Sequence, residues 1–286
     1  MPSFESPKPI TATIDVVVGD VQIRADGGGH TTVDVRAADA SNEEDVKAAE
    51  QTRVEYANGQ LLVKAPKLRS WRPRGMGGSI DVTIELPAGS TVHGAGQATD
   101  FRCDGRLGDC RIKTGLGQIQ IDQAGTLSLK TGIGDILVDH ATGHAEVTAG
   151  SGDVRLQELD TSAAVKNSNG DTWIGAAGGD VRVSAANGSI AVDVANGSVV
   201  AKSANGDVRL GEAVRGSVVL ETNLGDLEVG IREGTAAWLD VRARAGRVHN
   251  SLEAAEAPDA SAETVEVRAR TSAGDVVVRR PELSRG

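Results

Sequence analysis

Four aspartates, Asp135, Asp153, Asp171 and Asp207, share one position of an 18-residue repeat; Ser189 interrupts the column and one inserted residue displaces Asp226. Carboxylates stacked at strand spacing repel unless a cation or a donor intervenes. Calcium is one such cation, and calcium-binding β-rolls also use nonapeptides rich in Gly and Asp. Those rolls place Asp two residues before a single large apolar residue. Here Asp follows Gly directly and precedes a pair of alternating apolar residues. That phase points to turn chemistry. Asp opens the strand, accepts a turn amide and pairs outward with neighbours such as Arg155 and Arg209. A calcium-binding β-roll stays as an alternative. Asn169, Asn187 and Asn205 precede the same Gly. Asn-Gly suits turns with positive φ, and stacked amides can hydrogen-bond along the repeat.

Other reactive side chains form no catalytic set. His140 and His144 flank a turn beside Asp139, but no third ligand has a matching place in the period, so they read as surface histidines. His30, His93 and His249 are scattered, and no Ser/His/Asp or Cys/His constellation follows from spacing. No catalytic residue, cofactor or metal ligand is assigned, and the chain reads as non-enzymatic. Cys103 and Cys110 fall on inward positions at opposite ends of one turn. Two buried apolar thiols are the first reading and a redox pair the second. Contact chemistry is richest at 66–78, where Lys67, Arg69, Trp71, Arg72 and Arg74 occur without an acid. Arg and Trp are enriched at binding hot spots. Trp173 joins these residues as a candidate partner contact because it takes an outward position in its strand.

These residues sit on a short repeat. From about Thr99 to Gly234, inward pairs recur nearly every nine residues, from Phe101/Cys103 to Leu227/Val229. Alternate halves differ: Thr131, Ala149, Asn167, Ala185, Ser203 and Thr222 form a small or polar column, so the true period is 18. Such a coil is too short for a helix. Two short strands per coil stack into parallel sheets about 4.8 Å per coil, around a thin core of Val, Ile and Leu. The expected fold is all-β: a single-chain parallel β-solenoid with irregular N-terminal strands, one short helix and loop excursions. Residues 1–98 form the N-terminal strands and cap, continuous with a solenoid over 99–286 that ends in capping coils. Within the cap, Ser41-Asn-Glu-Glu44 reads as a capping box opening a helix to about Gln51. Asn58-Gly59 between two β-prone runs marks a hairpin. Near the other end, 239–248 resembles 265–276, and an acidic excursion over 251–264 separates them.

The Gly-Asp-Val/Ile units, the Lys166-Asn-Ser-Asn-Gly-Asp-Thr-Trp-Ile174 turn and the ending Arg268-Ala-Arg-Thr-Ser-Ala-Gly-Asp-Val276 resemble the bacterial β-strand-repeat proteins named putative adhesins. The resemblance runs from about Ile10 to Arg280. It implies a β-solenoid and brings no catalytic residues, because the family's repeat domain is of unknown function. A net charge of −10 argues against general nucleic-acid binding. No window approaches the roughly 20 apolar residues of a membrane span. The first ten residues do not read as a secretory signal, which makes the cytoplasm the expected location. The leading functional expectation is an intracellular interaction or structural scaffold for an unidentified protein partner. A surface adhesin or carbohydrate-binding module is the alternative, and aromatics at 2% of the chain count against it.

Overall fold

The computed structural model describes residues 2–66, 78–252 and 263–281. The chain divides into two compact units, Met1–Gly143 and His144–Gly286. Both are built from strands, and among the described residues the one helix is Glu43–Gln51. The architecture is the expected all-β parallel solenoid. No helix among the described residues is long and apolar enough to cross a membrane.

The coil is plainest in the second unit. Val181–Asn187 lies parallel between Ala163–Asn169 and Val199–Asn205. The other half of the coil, Ile190–Ala195, lies parallel between Thr172–Ala177 and Val208–Ala213. Residues one period apart therefore stack, as Val165, Val183 and Ala201 do. Every predicted inward pair is buried. Each fully buried Val, Ile or Leu contributes roughly 1.5–3 kcal/mol, which makes strict alternation the main force holding each coil flat.

One peptide group per coil leaves this ladder, at the Gly-Asp corner. At 206–207 and 225–226, Gly206 O accepts from Thr222 Oγ1 at 2.9 Å and Gly225 O from Thr271 Oγ1 at 3.0 Å. Ser203 Oγ serves Gly188 O at 3.0 Å, and in the first unit Thr131 Oγ1 serves Gly117 O at 3.0 Å. At 170–171, 188–189 and 225–226 the N–H of the corner peptide goes to the carboxylate one coil earlier. Asp153 Oδ1 accepts from Asp171 N at 3.0 Å, Asp171 Oδ1 from Ser189 N at 2.8 Å and Asp207 Oδ1 from Asp226 N at 2.8 Å. The small polar column and the Asp column thus satisfy the two ends of one peptide.

The coil at 163–177 departs from this rule. Ala185 has no hydroxyl to offer Gly170 O, and the longer Asn167 takes over. Its Nδ2 donates to Gly152 O and Gly170 O, both at 3.0 Å. The substitution leaves Asn167 Oδ1 buried without a partner, and the buried Thr172 Oγ1 lacks one too. Thr172 occupies a column held by Val154, Ile190 and Val208.

Both units depart from sequential stacking at their irregular ends. In the first, Thr11–Gly27 spans a whole coil. Its first half pairs with Gln60–Lys64, its second with Ile80–Pro87, and Thr91–Arg106 runs along its other side. The first coil in sequence is thus second in space. Antiparallel strands His30–Ala37 and Arg53–Ala57 flank Ile80–Pro87 and Gln60–Lys64. The hairpin turns at Asn58 and Gly59, with φ of 53° and 74°. In the second unit, Thr264–Ala273 inserts between Gly216–Leu224 and Ala236–Ala245. Thr264–Ala273 thereby has ladder partners on both sides, and among the described residues Ala236–Ala245 takes the edge position.

The helix begins one residue later than the expected capping box. Asn42 is the N-cap and its Oδ1 accepts from Glu44 N at 2.9 Å. Ser41 Oγ instead donates to Asp39 Oδ1 at 2.7 Å, so it is already committed to the preceding turn. Buried Asp45 ties the helix down by accepting from Ser79 N at 2.8 Å and Asp39 N at 3.2 Å.

Thr172→Val keeps the shape and removes a buried hydroxyl that has no partner. The variant is expected to be more stable than wild type by about 1 kcal/mol, read from the midpoint of urea unfolding.

Candidate functional site

The residues singled out by the repeat are absorbed by the stack. The Asp column accepts backbone amides, and the Asn column forms an amide ladder. Asn187 Nδ2 donates to Asn169 Oδ1 at 2.9 Å and Asn205 Nδ2 to Asn187 Oδ1 at 2.8 Å. Arg155 Nη2 stands 3.9 Å from Asp153 Oδ2, as expected. Arg209 differs: it pairs with Glu228 at 3.7 Å, because the parallel register sets Glu228 directly beside it.

Cys103 and Cys110 are free and buried on either side of their turn. A hydrogen bond with the Cys103 thiol, together with burial, pushes the Cys110 thiol well above its ordinary value. That holds Cys110 as a neutral thiol rather than a nucleophile. His140 Nδ1 lies 3.3 Å from Gln123 Nε2, and His144 Nδ1 lies 2.8 Å from Ser162 Oγ.

A row of carboxylates that the repeat does not announce lies in the first unit. The register sets Asp20 beside Asp81 on one flank and Asp100 on the other. The three come from residues far apart in sequence, brought together by the inserted coil. Burial, then the charges of Asp100 and Asp81, raise Asp20 above the ordinary carboxylate range. Asp100 is partly compensated, since its Oδ1 accepts from Gln118 N at 2.7 Å.

Of the candidate contact residues, Lys67, Arg69, Trp71, Arg72 and Arg74 lie outside the described residues, as does most of the acidic excursion. Trp173 does occupy the outward position, half-buried, between Arg155 and Ala191 on the neighbouring strands. Its Nε1 donates to Asp193 Oδ2 at 3.1 Å. A side chain at 175 would meet the ring, whose Cη2 lies 3.1 Å from the place a Cβ would take, so the indole rests across Gly175. The ring is held by a hydrogen bond at one end and a small-residue seat at the other.

The second unit also carries a groove of about 880 Å³, lined by Arg215, Ser217, Trp238, Glu263, Thr264 and Glu266 among others. The inserted strand makes it: Glu266 is directly beside Ser217 on one flank and Trp238 on the other. Trp238 is 57% exposed. Glu263 lies 4.0 Å from Arg215, and Glu266 lies 2.6 Å from Arg268. Nothing local in the sequence joins Trp238 to Arg215 or Glu263.

Residues 13–279 match the model of the Toastrack DUF4097 family. The chain belongs to that family. No curated protein matches it. Solved structures similar to this Toastrack chain include a putative adhesin from Parabacteroides merdae ATCC 43184, at 12% identity over 98% of this chain and 95% of that one, TM-score 0.47. Others are a putative adhesin from Parabacteroides distasonis ATCC 8503, at 11% identity over 96% and 95%, TM-score 0.33, and a putative cell adhesion protein from Clostridium sporogenes ATCC 15579, at 11% identity over 98% of both, TM-score 0.24.

In this Toastrack chain a raised Asp20 makes protonation favour the fold. That contribution is present below the unfolded pKa and is lost as pH rises through the higher folded value. Asp20→Asn, which keeps the uncharged form at every pH, is expected to raise Tm at about pH 7 and to leave it nearly unchanged at about pH 3. Thermal unfolding followed by circular dichroism at the two pH values checks both halves.

Proposed function

We propose that this Toastrack chain is a non-enzymatic interaction scaffold that holds a protein partner on the outer sheet face around Trp173. The fixed indole of Trp173 carries this reading. An aromatic ring held by Asp193 and seated on Gly175 loses little conformational freedom when a partner covers it. Arg155 on the adjoining strand supplies a charged flank, and Ala191 leaves the other side low. Such a centre has the composition of a binding hot spot. A non-catalytic role is supported by where the carboxylates of the repeat are spent. Asp153, Asp171 and Asp207 each hold a backbone amide of the next coil, a structural use of carboxylates that an acid–base mechanism would need free.

Trp173→Ser should leave the far-ultraviolet dichroism intact and weaken partner binding by about 2 kcal/mol or more, roughly thirty-fold. Affinity capture from the source cells with wild type and variant side by side checks it. Proteins retained by wild type and lost by the variant are expected; identical captured sets would remove this face from the account.

A further inference from the structure

The second unit ends, among the described residues, in a strand whose outer edge is unpaired. Among the described residues, Ala236–Ala245 pairs on one side only, with Thr264–Ala273. It is ten residues long and contains no proline. Its inward side chains are poorly covered: Leu239 and Val241 are half-buried, whereas their neighbours Val267 and Ala269 are fully buried. A long, flat edge of this kind is a template for another strand.

We infer that this edge pairs with the same edge of a second copy, antiparallel about a two-fold axis at Val241. The residue pattern selects both partner and register. Trp238, Asp240, Arg242 and Arg244 share the outward face, as their register with Glu266, Arg268 and Arg270 requires. A two-fold at Val241 sets Asp240 opposite Arg242 of the other copy, and Trp238 opposite Arg244, with each contact made twice. The neighbouring registers lack this pairing: an axis at Leu239 sets Asp240 opposite Trp238 and joins no opposite charges. An axis at Asp240 or Arg242 places like charges directly opposite themselves, and an axis at Ala243 opposes Arg242 with Arg244. An axis between two residues would put the core face of one copy beside the solvent face of the other.

The groove fits the same arrangement. Arg244 of the second copy arrives opposite Trp238, at the rim of the groove that Glu263 and Glu266 line from the next strand in. An indole face with carboxylates nearby suits a guanidinium, which can stack on the ring while its N–H groups face the acids. Within one copy Asp240 already holds Arg242 at 3.1 Å and Arg270 at 3.2 Å. These pairs hold its carboxylate below the ordinary range, with the Arg270 hydrogen bond foremost, so the charge that meets the second copy persists in mild acid. Leu239, Val241 and Ala243 of the two copies then close the end of the core. This inference is independent of the Trp173 reading, because it uses a different strand and a different partner.

Sedimentation velocity on the full chain is expected to show a concentration-dependent dimer. Arg244→Glu should raise its dissociation constant at least about tenfold. Val241→Cys reads the register itself, because the residue on the axis faces its own copy. Oxidation with diamide should link that variant into a dimer on a non-reducing gel. Ala243→Cys, placed about four residues from its own copy, should stay unlinked. A chain that remains monomeric to about 100 μM, well above the micromolar affinity of a modest interface, overturns the inference. So does a dimer that Val241→Cys fails to link, or one indifferent to Arg244→Glu while circular dichroism reports an intact fold.

Discussion

At each Gly-Asp corner the peptide carbonyl turns toward the core and the N–H toward the preceding coil, so neither group reaches a strand neighbour. A buried carbonyl left alone costs about 1–3 kcal/mol, and the repeat presents one in every coil. The chain meets that cost with side chains. Thr222, Ser203 and Thr271 donate to the carbonyls of Gly206, Gly188 and Gly225. Asp171 and Asp207 accept the N–H groups of residues 189 and 226. Since donor and acceptor belong to different coils, each bond also fixes the register of the stack.

Glycine is required at that corner for two reasons that act together. Gly188 and Gly206 have φ of 136° and 146°, a region side chains rarely enter. A Cβ on Gly188 would stand 2.0 Å from Gly170 O, and one on Gly206 2.1 Å from Gly188 O. The carbonyl that needs a hydroxyl partner is therefore the one on which the next glycine packs. Thr, Gly and Asp at fixed spacing are three answers to one geometric problem. The Asn167 and Ala185 pair shows that the problem, rather than the residue type, is what the repeat preserves. When Ala185 cannot donate, Asn167 reaches both carbonyls, at the expense of an unpaired oxygen in the core.

Periodicity made the coil legible. Val, Ile and Leu at alternating positions, reset every nine residues, leave few alternatives to two short parallel strands, and all the inward pairs followed. The Asp turn role was readable from its phase against those pairs. The inward Thr column was visible as the mark of the 18-residue period, but its work was not, because a Thr in an alternating strand also reads as a small filler. The inverted order at the irregular ends was beyond pattern reading, since coils with the same apolar alternation are interchangeable as neighbours. Everything built by that inversion was hidden with it: the Asp20 row, the groove at Trp238 and the open edge at 236–245. Trp173 was found by parity, while its anchor Asp193 stands on the next coil and has no local signature.

The corner account is tested most directly by Thr222→Val, which preserves shape and apolar packing and deletes the one hydroxyl that serves Gly206 O. Urea unfolding of the variant should show a loss of about 1–3 kcal/mol with an unchanged slope, because the carbonyl stays buried and loses its donor. A variant as stable as wild type would contradict the claim that satisfying the Gly-Asp peptide holds the coils in register.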